Sequence, residues 1–410
     1  MPAAVRVLLI ADVRSPITWG WVDSVRSAGV VVLGMDGLPW PERRPLGASR
    51  AGRLTGVRQR LRSFAMATPG RLKVTEKARR LAGPVLAPVQ GRRIRRAVAR
   101  ARPDVVHGLR LPHEAMTAMV ACPPGVPLAV SVWGNDLTHE APATRMGSRA
   151  TRRVLARASL LLADCQRDID LAAAWGLRPA AATAVLPGGG GIDVARVVPE
   201  QRGLASQPGD PACRNHRLVV NARGIRAYVH NETLLAALSL LATELDPRVR
   251  VVFVDSAHDG ALCRAIESHR LRKQMIVTGK RSPAEVLSLF CRAEVSVSIT
   301  ERDGTPNSLL EAMAAGAIPV CGDLPSIREW IEPGRNGFLA AYDDPLAVAD
   351  ALRVALRLSD AERSAIRAEN RRIIAARAER GSVGRQAAER YDELVGRDDA
   401  PLSKRSAACS

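Results

Sequence analysis

Strand-length apolar runs alternating with helix-length segments, in two successive blocks, constrain this chain more than any other feature. In the first block the runs are Val5–Ala11, Val30–Gly34, Val105–His107, Leu128–Trp133, Ser159–Ala163 and Ala184–Leu186, with a helix expected at Trp19–Ala28. The second block has runs at Leu218–Ala222, Val249–Asp255, Met275–Thr278, Val295–Ile299 and Ile318–Cys321. Helical stretches at Asn231–Leu245, Leu262–Arg270, Pro283–Ala293 and Pro306–Ala315 separate them. Strands spaced by helices argue for βα repeats and a parallel sheet in each block. Between the blocks, residues 196–217 carry Pro199, Gly203, Pro208, Gly209 and Pro211 with no apolar period, which reads as a linker and hinge. A chain of 410 residues also suits two domains of roughly 200 each. The expected division is 1–195, linker 196–217, 218–395 with a charged helical end at 359–395, and a frayed tail 396–410. Two tandem α/β domains place the ligand site in the cleft between them, at strand C-terminal ends.

Composition removes several classes. Apolar residues at 47% and charged residues at 25% supply a sizeable core and exclude a wholly disordered chain. No uninterrupted apolar run reaches the roughly 18 residues of a spanning helix. Val5–Ala11 holds Arg6 and is followed by Asp12 and Arg14, so it reads as a buried first strand and not as a signal peptide. The seven cysteines are scattered without C-x-x-C spacing, which suits a reducing, cytoplasmic setting with neither disulfide framework nor zinc site. The net charge of +19 is concentrated: Arg43–Arg102 holds 18 Lys/Arg against the single acid Glu76, or +17. Residues 40–102 therefore read as an irregular basic insert, broken by Pro and Gly, with amphipathic pieces such as Gly91–Arg102. Localised positive charge implies a polyanionic partner. Here an anionic membrane surface is expected, on the inner face of the cell membrane, with Arg92, Arg93, Arg95 and Arg96 as its core. Nucleic acid is not expected, because aromatic residues are only 3% and single-strand binders stack bases on aromatic platforms.

The densest chemical signal is Ser296 to Val320: a buried strand, a polar glycine turn, then a helix. Thr305 suits an N-cap and Pro306 a first helical position. Amides near Ser308, Leu309 and Leu310, with the helix dipole, then form an anion site suited to a diphosphate. Glu311 lies further along the helix, where it can accept hydrogen bonds from sugar hydroxyls. Asp303 sits on the turn, where it reaches the other side of the same ligand. Two carboxylates eight positions apart across such a turn fit a nucleotide-sugar better than a metal.

This segment resembles the signature of the retaining glycosyltransferases of family 4, the glycosyl transferases group 1, an acid and a Glu separated by seven residues. Asp303 and Glu311 match that spacing, with Asp in place of the usual first Glu; Glu301 does not match. Leu324 to Leu339, with Glu329 and Gly337, resembles the family's continuation. Leu218 to Asn231 is similar to its strand and turn with a basic pair for the diphosphate, Arg223 first and Arg226 in place of a Lys. Gly279 and Lys280 stand where members present backbone to the base, and Val185–Asp193 resembles the Pro–Gly–Asp turn into the interdomain region. His107 and Asp136 correspond to strand ends facing the acceptor, and Ile17 stands where a His is common. The resemblance implies a GT-B fold of two facing Rossmann-like domains. It further implies a metal-independent, cofactor-free hexosyltransferase that retains anomeric configuration. The donor would be a UDP- or GDP-sugar, and the acceptor a hydroxyl of a carbohydrate, polysaccharide or lipid-linked sugar. Asp303, Arg223, Arg226, His107 and Asp136 would carry the reaction. Gly279, Lys280, Gly304, Thr305, Asn307, Ser308, Leu309, Leu310 and Glu311 would hold the donor. A nucleotide-sugar epimerase of the same fold and a non-catalytic nucleotide-sugar or polyanion binder are the alternatives.

Overall fold

The computed structural model describes residues 4–13, 15–36, 69–197 and 216–396. Two six-stranded sheets, each parallel throughout, form the two blocks. The first contains β1 (Arg6–Ala11), β2 (Val31–Asp36), β3 (Val105–Gly108), β4 (Leu128–Val132), β5 (Leu160–Ala163) and β6 (Ala182–Val185), in the order β2-β1-β3-β4-β5-β6. The second contains β7 (Arg217–Asn221), β8 (Val249–Phe253), β9 (Met275–Val277), β10 (Ala293–Ser298), β11 (Ile318–Gly322) and β12 (Phe338–Ala340), in the order β12-β11-β10-β7-β8-β9. Parallel sheets are covered by helices on both faces, so their strands are apolar on both sides. Leu8, Val106, Leu128 and Val130 accordingly join one core of the first domain, and Leu9, Val105, Ala129 and Leu160 the opposite one.

The first block's helices are α1 (Pro16–Ser27), α2 (Pro69–Ala101), α3 (His113–Ala121), α4 (Arg145–Arg157) and α5 (Gln166–Ala174). The second block's are α6 (Asn231–Leu240), α7 (Gly260–Glu267), α8 (Pro283–Arg292), α9 (Asn307–Ala315), the short α10 (Pro325–Arg328), α11 (Pro345–Arg357) and α12 (Asp360–Arg377). A last helix, α13 (Arg380–Leu394), follows. Among the described residues no helix is long and apolar enough to cross a membrane.

Two expectations are corrected. The basic insert is not irregular over its second half: α2 runs unbroken through Pro84 and Pro88. Its Ala87 and Val98 are buried in the core shared with α3, and that packing outweighs the missing proline donors. Residues 40–68 of the insert lie outside the described residues. The second correction concerns the domain boundary drawn at 395. Helix α13 packs on the first domain, where Val383, Ala387, Ala388 and Tyr391 share a core with Trp21, Val22 and Val25. The apolar spacing identifies a helical face, but not the domain that covers it. The chain therefore crosses between domains twice. One crossing is the expected linker, of which 198–215 lie outside the described residues. The other, at Ala378–Arg380, pairs with the first: Ile192 N–H donates to Ala378 O (2.7 Å) and Arg380 N–H to Ile192 O (3.0 Å).

The return helix is fastened through a buried polar chain. His107 Nδ1 lies 2.8 Å from Tyr391 Oη, and its Nε2 lies 2.9 Å from Ser131 Oγ. Burial pushes His107 down to about 3, so the ring is neutral at physiological pH. Tyr391→Phe removes one partner from a buried ring nitrogen and should cost about 1–3 kcal/mol of stability. Urea unfolding of the variant should show this as a lower midpoint with an unchanged slope. An unchanged midpoint would mean that the α13 attachment is purely apolar.

Candidate functional site

The second sheet reverses direction between β7 and β10, the two strands that begin its two halves, and in doubly wound sheets ligands bind where that reversal opens a crevice. The turn after β7 carries Arg223 and the turn after β10 carries Asp303. Both side chains are buried, and the Arg223 guanidinium donates to the Asp303 carboxylate through Nη2. Arg223 Nη1 also reaches Ser308 Oγ at 3.2 Å. Asn221 holds the turn: its Oδ1 accepts from Arg223 N–H (3.1 Å) and its Nδ2 donates to Asn231 Oδ1 (2.7 Å). The remaining guanidinium donor, Arg223 Nε, is buried without an acceptor among the described residues. Such an orphan is destabilising by about 1–3 kcal/mol until an acceptor arrives. An anionic oxygen is the acceptor that a guanidinium binds best.

Helix α9 starts beside this pair. Thr305 does not cap it: Pro306 occupies the N-cap, and the Thr305 hydroxyl donates to Asp164 O while accepting from Trp330 Nε1 (2.9 Å). The amides of Leu309 and Leu310 both donate to Pro306 O, and their side chains are core. The open first-turn donors are therefore those of Asn307 and Ser308, one residue earlier than expected. Glu311 is partly buried, and no described residue hydrogen-bonds its carboxylate. Burial pushes it up to about 7, opposed by Arg380 at the start of α13. Opposite α9 lies the glycine run of the first domain, with Gly189 packed against the Asn307 side chain.

The first domain closes on the same turn. Arg167, at the start of α5, donates from Nη1 to Asp303 O (2.6 Å) and from Nη2 to Gly134 O (2.9 Å), and its Nε pairs with Asp168 (3.0 Å). Glu329 of the second domain accepts from the first two α5 amides, Gln166 N–H (2.8 Å) and Arg167 N–H (3.2 Å). Asp164 and Asp168 are buried in this seam, and desolvation pushes both upward, Asp164 well above the ordinary carboxylate range. Gly134 takes a φ of +48°, open to glycine, and lies against Gly304.

The other sequence candidates fall elsewhere. Arg226 is exposed on the β7 turn and makes no ion pair among the described residues. Gly279 and Lys280 are exposed at the end of β9, on the sheet edge. His107 is in the first domain's core, as described above. Asp136 is buried and paired with Arg110 (2.9 Å), its other oxygen accepting from Trp133 N–H (3.1 Å), so it shapes the turn that carries Gly134. Arg302 was not singled out in the sequence. Its guanidinium lies 5.9 Å from the Tyr228 ring, whose other neighbour is Arg223 at 6.0 Å, and its Nε has no acceptor among the described residues. The signal was its place beside Asp303. Arg167 and Asp164 left no signal, because their function depends on a contact 136 or more positions away.

Comparisons with known proteins bear on the family and the fold. The family model for glycosyl transferases group 1 matches residues 214–372, and that for a glycosyl transferase 4-like domain matches 3–189. A protein of Xanthomonas campestris, described as a GDP-mannose:cellobiosyl-diphosphopolyprenol alpha-mannosyltransferase, is 26% identical over 128 residues, 30% of this chain and 34% of that protein. A protein of the same description from Xanthomonas oryzae pv. oryzae matches equally, so the similarity spans about a third of these relatives' length. Among solved structures, Anabaena HepE in complex with UDP and glucose aligns with a TM-score of 0.67 at 16% identity, covering 95% of this chain and 100% of that one. Thermosynechococcus elongatus sucrose-phosphate synthase aligns with a TM-score of 0.68 at 14% identity, covering 96% and 99%. The fold is thus the two-domain GT-B arrangement.

The seam leaves no room at Gly304. A Cβ there would lie 2.5 Å from Asp164 Oδ1 and 2.7 Å from Gly134 Cα. Gly304→Ala should therefore hold the domains apart, and small-angle scattering should report a larger radius of gyration than for the parent chain. Equal radii would show that the seam is not closed in solution.

Proposed function

The chain belongs to the group 1 glycosyltransferases, and on that premise we propose that it moves a sugar from a nucleotide diphosphate donor to an acceptor hydroxyl with retention of configuration. The observation that carries this reading is the buried Arg223–Asp303 pair beside the open amides of α9, with one guanidinium donor unpartnered. A diphosphate bridging Arg223 and the amides of Asn307 and Ser308 would satisfy those donors. The exposed Arg226 would add positive charge around it, whereas Arg302 is paired with Glu301 (2.7 Å). Catalysis would then consist of holding the donor and stabilising the charge that grows on the departing diphosphate. Charge of that kind is met here by guanidinium groups and helix amides, so the reading calls for no metal. Following the family resemblance, the leaving phosphate takes the acceptor proton, and no side-chain base is needed. His107 and Asp136 hold the first domain's shape in this reading and do not touch substrate.

Asp303 would contact the transferred sugar and Glu311 the ribose hydroxyls. UDP or GDP is the expected nucleotide, since Anabaena HepE is seen with UDP and the Xanthomonas relatives are described with GDP-mannose. A thermal-shift screen of UDP-, GDP- and ADP-sugars identifies the donor, because a bound ligand stabilises the fold by mass action. Glu311 then sets a pH signature. Its ionised form is the double acceptor, so affinity for a nucleotide-sugar, whose diphosphate diester does not titrate in this range, should rise as pH increases through about 7. Glu311→Gln should flatten that profile and weaken binding by about 1–3 kcal/mol. Asp303→Asn should lower turnover more than donor affinity, because sugar contacts matter most as the glycosidic bond stretches. Unchanged affinity and turnover in both variants would overturn the assignment. Donor conversion without any acceptor would favour an epimerase.

A lipid-linked acceptor suits the surface of the first domain. Helices α2 and α4 pack together, and among the described residues Val85, Leu86, Val89 and Met146 are exposed beside Arg92, Arg93, Arg95, Arg96, Arg145, Arg149, Arg152 and Arg153. Apolar side chains amid arginines are the makeup of an interfacial surface, and each basic residue near anionic lipid is worth about 1 kcal/mol. Co-sedimentation with phosphatidylglycerol vesicles should fall with salt and with Arg149→Glu/Arg153→Glu. Binding indifferent to anionic lipid and to salt would point to a soluble acceptor.

A further inference from the structure

We propose that Arg167 is a positioning residue through which the first domain sets the backbone of the Asp303 turn, so that the sugar-facing carboxylate is correctly placed only when the two domains are closed. The proposal rests on the donor site described above.

Asp303 is held from two directions. Its carboxylate is fixed within the second domain by Arg223, and its carbonyl accepts from Ser326 Oγ of the same domain (2.7 Å). The remaining donor to that carbonyl, Arg167 Nη1 at 2.6 Å, comes from the first domain and exists only while the domains touch. The same guanidinium bonds Gly134 O at 2.9 Å, on the first-domain turn that packs against Gly304. One planar group thus spans the turn after β4 and the turn after β10. A fork with fixed geometry transmits position in a way that a flexible ammonium does not.

Arg167 is itself aimed from both sides. Asp168 accepts from its Nε (3.0 Å) and Nη2 (2.7 Å). Glu329 of the second domain seats on the first two amides of α5, where a carboxylate is favoured by the unpaired N–H groups and the helix dipole. The next residue, Trp330, donates to Thr305 Oγ1, which donates to Asp164 O of the first domain. Glu329, Trp330, Thr305 and Asp303 of the second domain therefore meet Asp164, Arg167 and Gly134 of the first along one hydrogen-bonded line.

The nucleotide contacts proposed above come from the second domain, so this clamp should act on turnover and leave nucleotide binding intact. Arg167→Lys keeps the charge but loses the rigid fork that reaches Asp303 O and Gly134 O from two separate nitrogens. Titration with UDP and with GDP should give dissociation constants within about twofold of the parent for whichever nucleotide binds, while turnover of the matching donor sugar falls tenfold or more. Scattering with that nucleotide at saturation should show incomplete compaction. Ser326→Ala removes the same-domain donor to the same carbonyl together with the longer contact of its Oγ to Arg167 Nη1 (3.4 Å), and should lower turnover with compaction reduced less than in Arg167→Lys. If Arg167→Lys matches the parent in turnover, or loses nucleotide affinity in proportion to turnover, the clamp is overturned. If the parent chain binds neither UDP nor GDP, the donor-site reading fails first, and the scattering comparison of the two unliganded chains still tests the clamp. Equal compactness in that comparison would overturn it.

Discussion

A guanidinium and a carboxylate buried together at the reversal of the second sheet organise much of what surrounds them. Neither charge could sit there alone, because removing water from an ion is paid for only when a partner and further hydrogen bonds stand close by. Asp303 therefore stays where Arg223 is, and Arg223 stays where Asn221 and Ser308 place it. The pair leaves one donor over, Arg223 Nε, buried without an acceptor among the described residues. Strand order supplies the location, since β7 and β10 are neighbours that send their following helices to opposite faces of the sheet.

The seam between the domains extends the same electrostatics. Asp164, Asp168 and Asp303 gather near Arg167 and Arg223, three carboxylates against two guanidiniums. Burial displaces both Asp164 and Asp168 upward, and for Asp164 the neighbouring Asp168 and Asp303 carboxylates add to the displacement. Glycine makes the approach sterically open: a Cβ on Gly304 would lie 2.7 Å from Gly134 Cα. Helix α13 supplies the mechanical counterpart. By returning to the first domain and pairing Arg380 with Ile192, it makes the connection double, which limits the ways in which the halves can move apart.

Much of the Asp303–Glu311 segment was legible in the sequence because it is local. Asp303 and Glu311 lie on one strand–turn–helix segment, so their spacing alone carries their relation. The detail that failed there was Thr305. Its hydroxyl has the chemistry of a cap, but a carbonyl in the other domain and the Trp330 ring nitrogen compete for it and win. His107 and Asp136 show the converse. A polar residue at a strand end suits a substrate contact or a buried network equally well, and only the arrival of Tyr391 or Arg110 decides which.

The sequence by itself determined that there are two parallel α/β domains, because strand-length apolar runs separated by helices leave a chain few other ways to bury them. It also determined the family and the segment that carries the two acidic residues, since that pattern is contiguous. Tertiary structure alone decided that α13 belongs to the first domain, that α2 continues through its prolines, and that Arg167 reaches Asp303. Each of these depends on which surfaces meet after the chain has crossed between domains. The free energy of such contacts lies in pairs of residues far apart in sequence, and no local pattern records it.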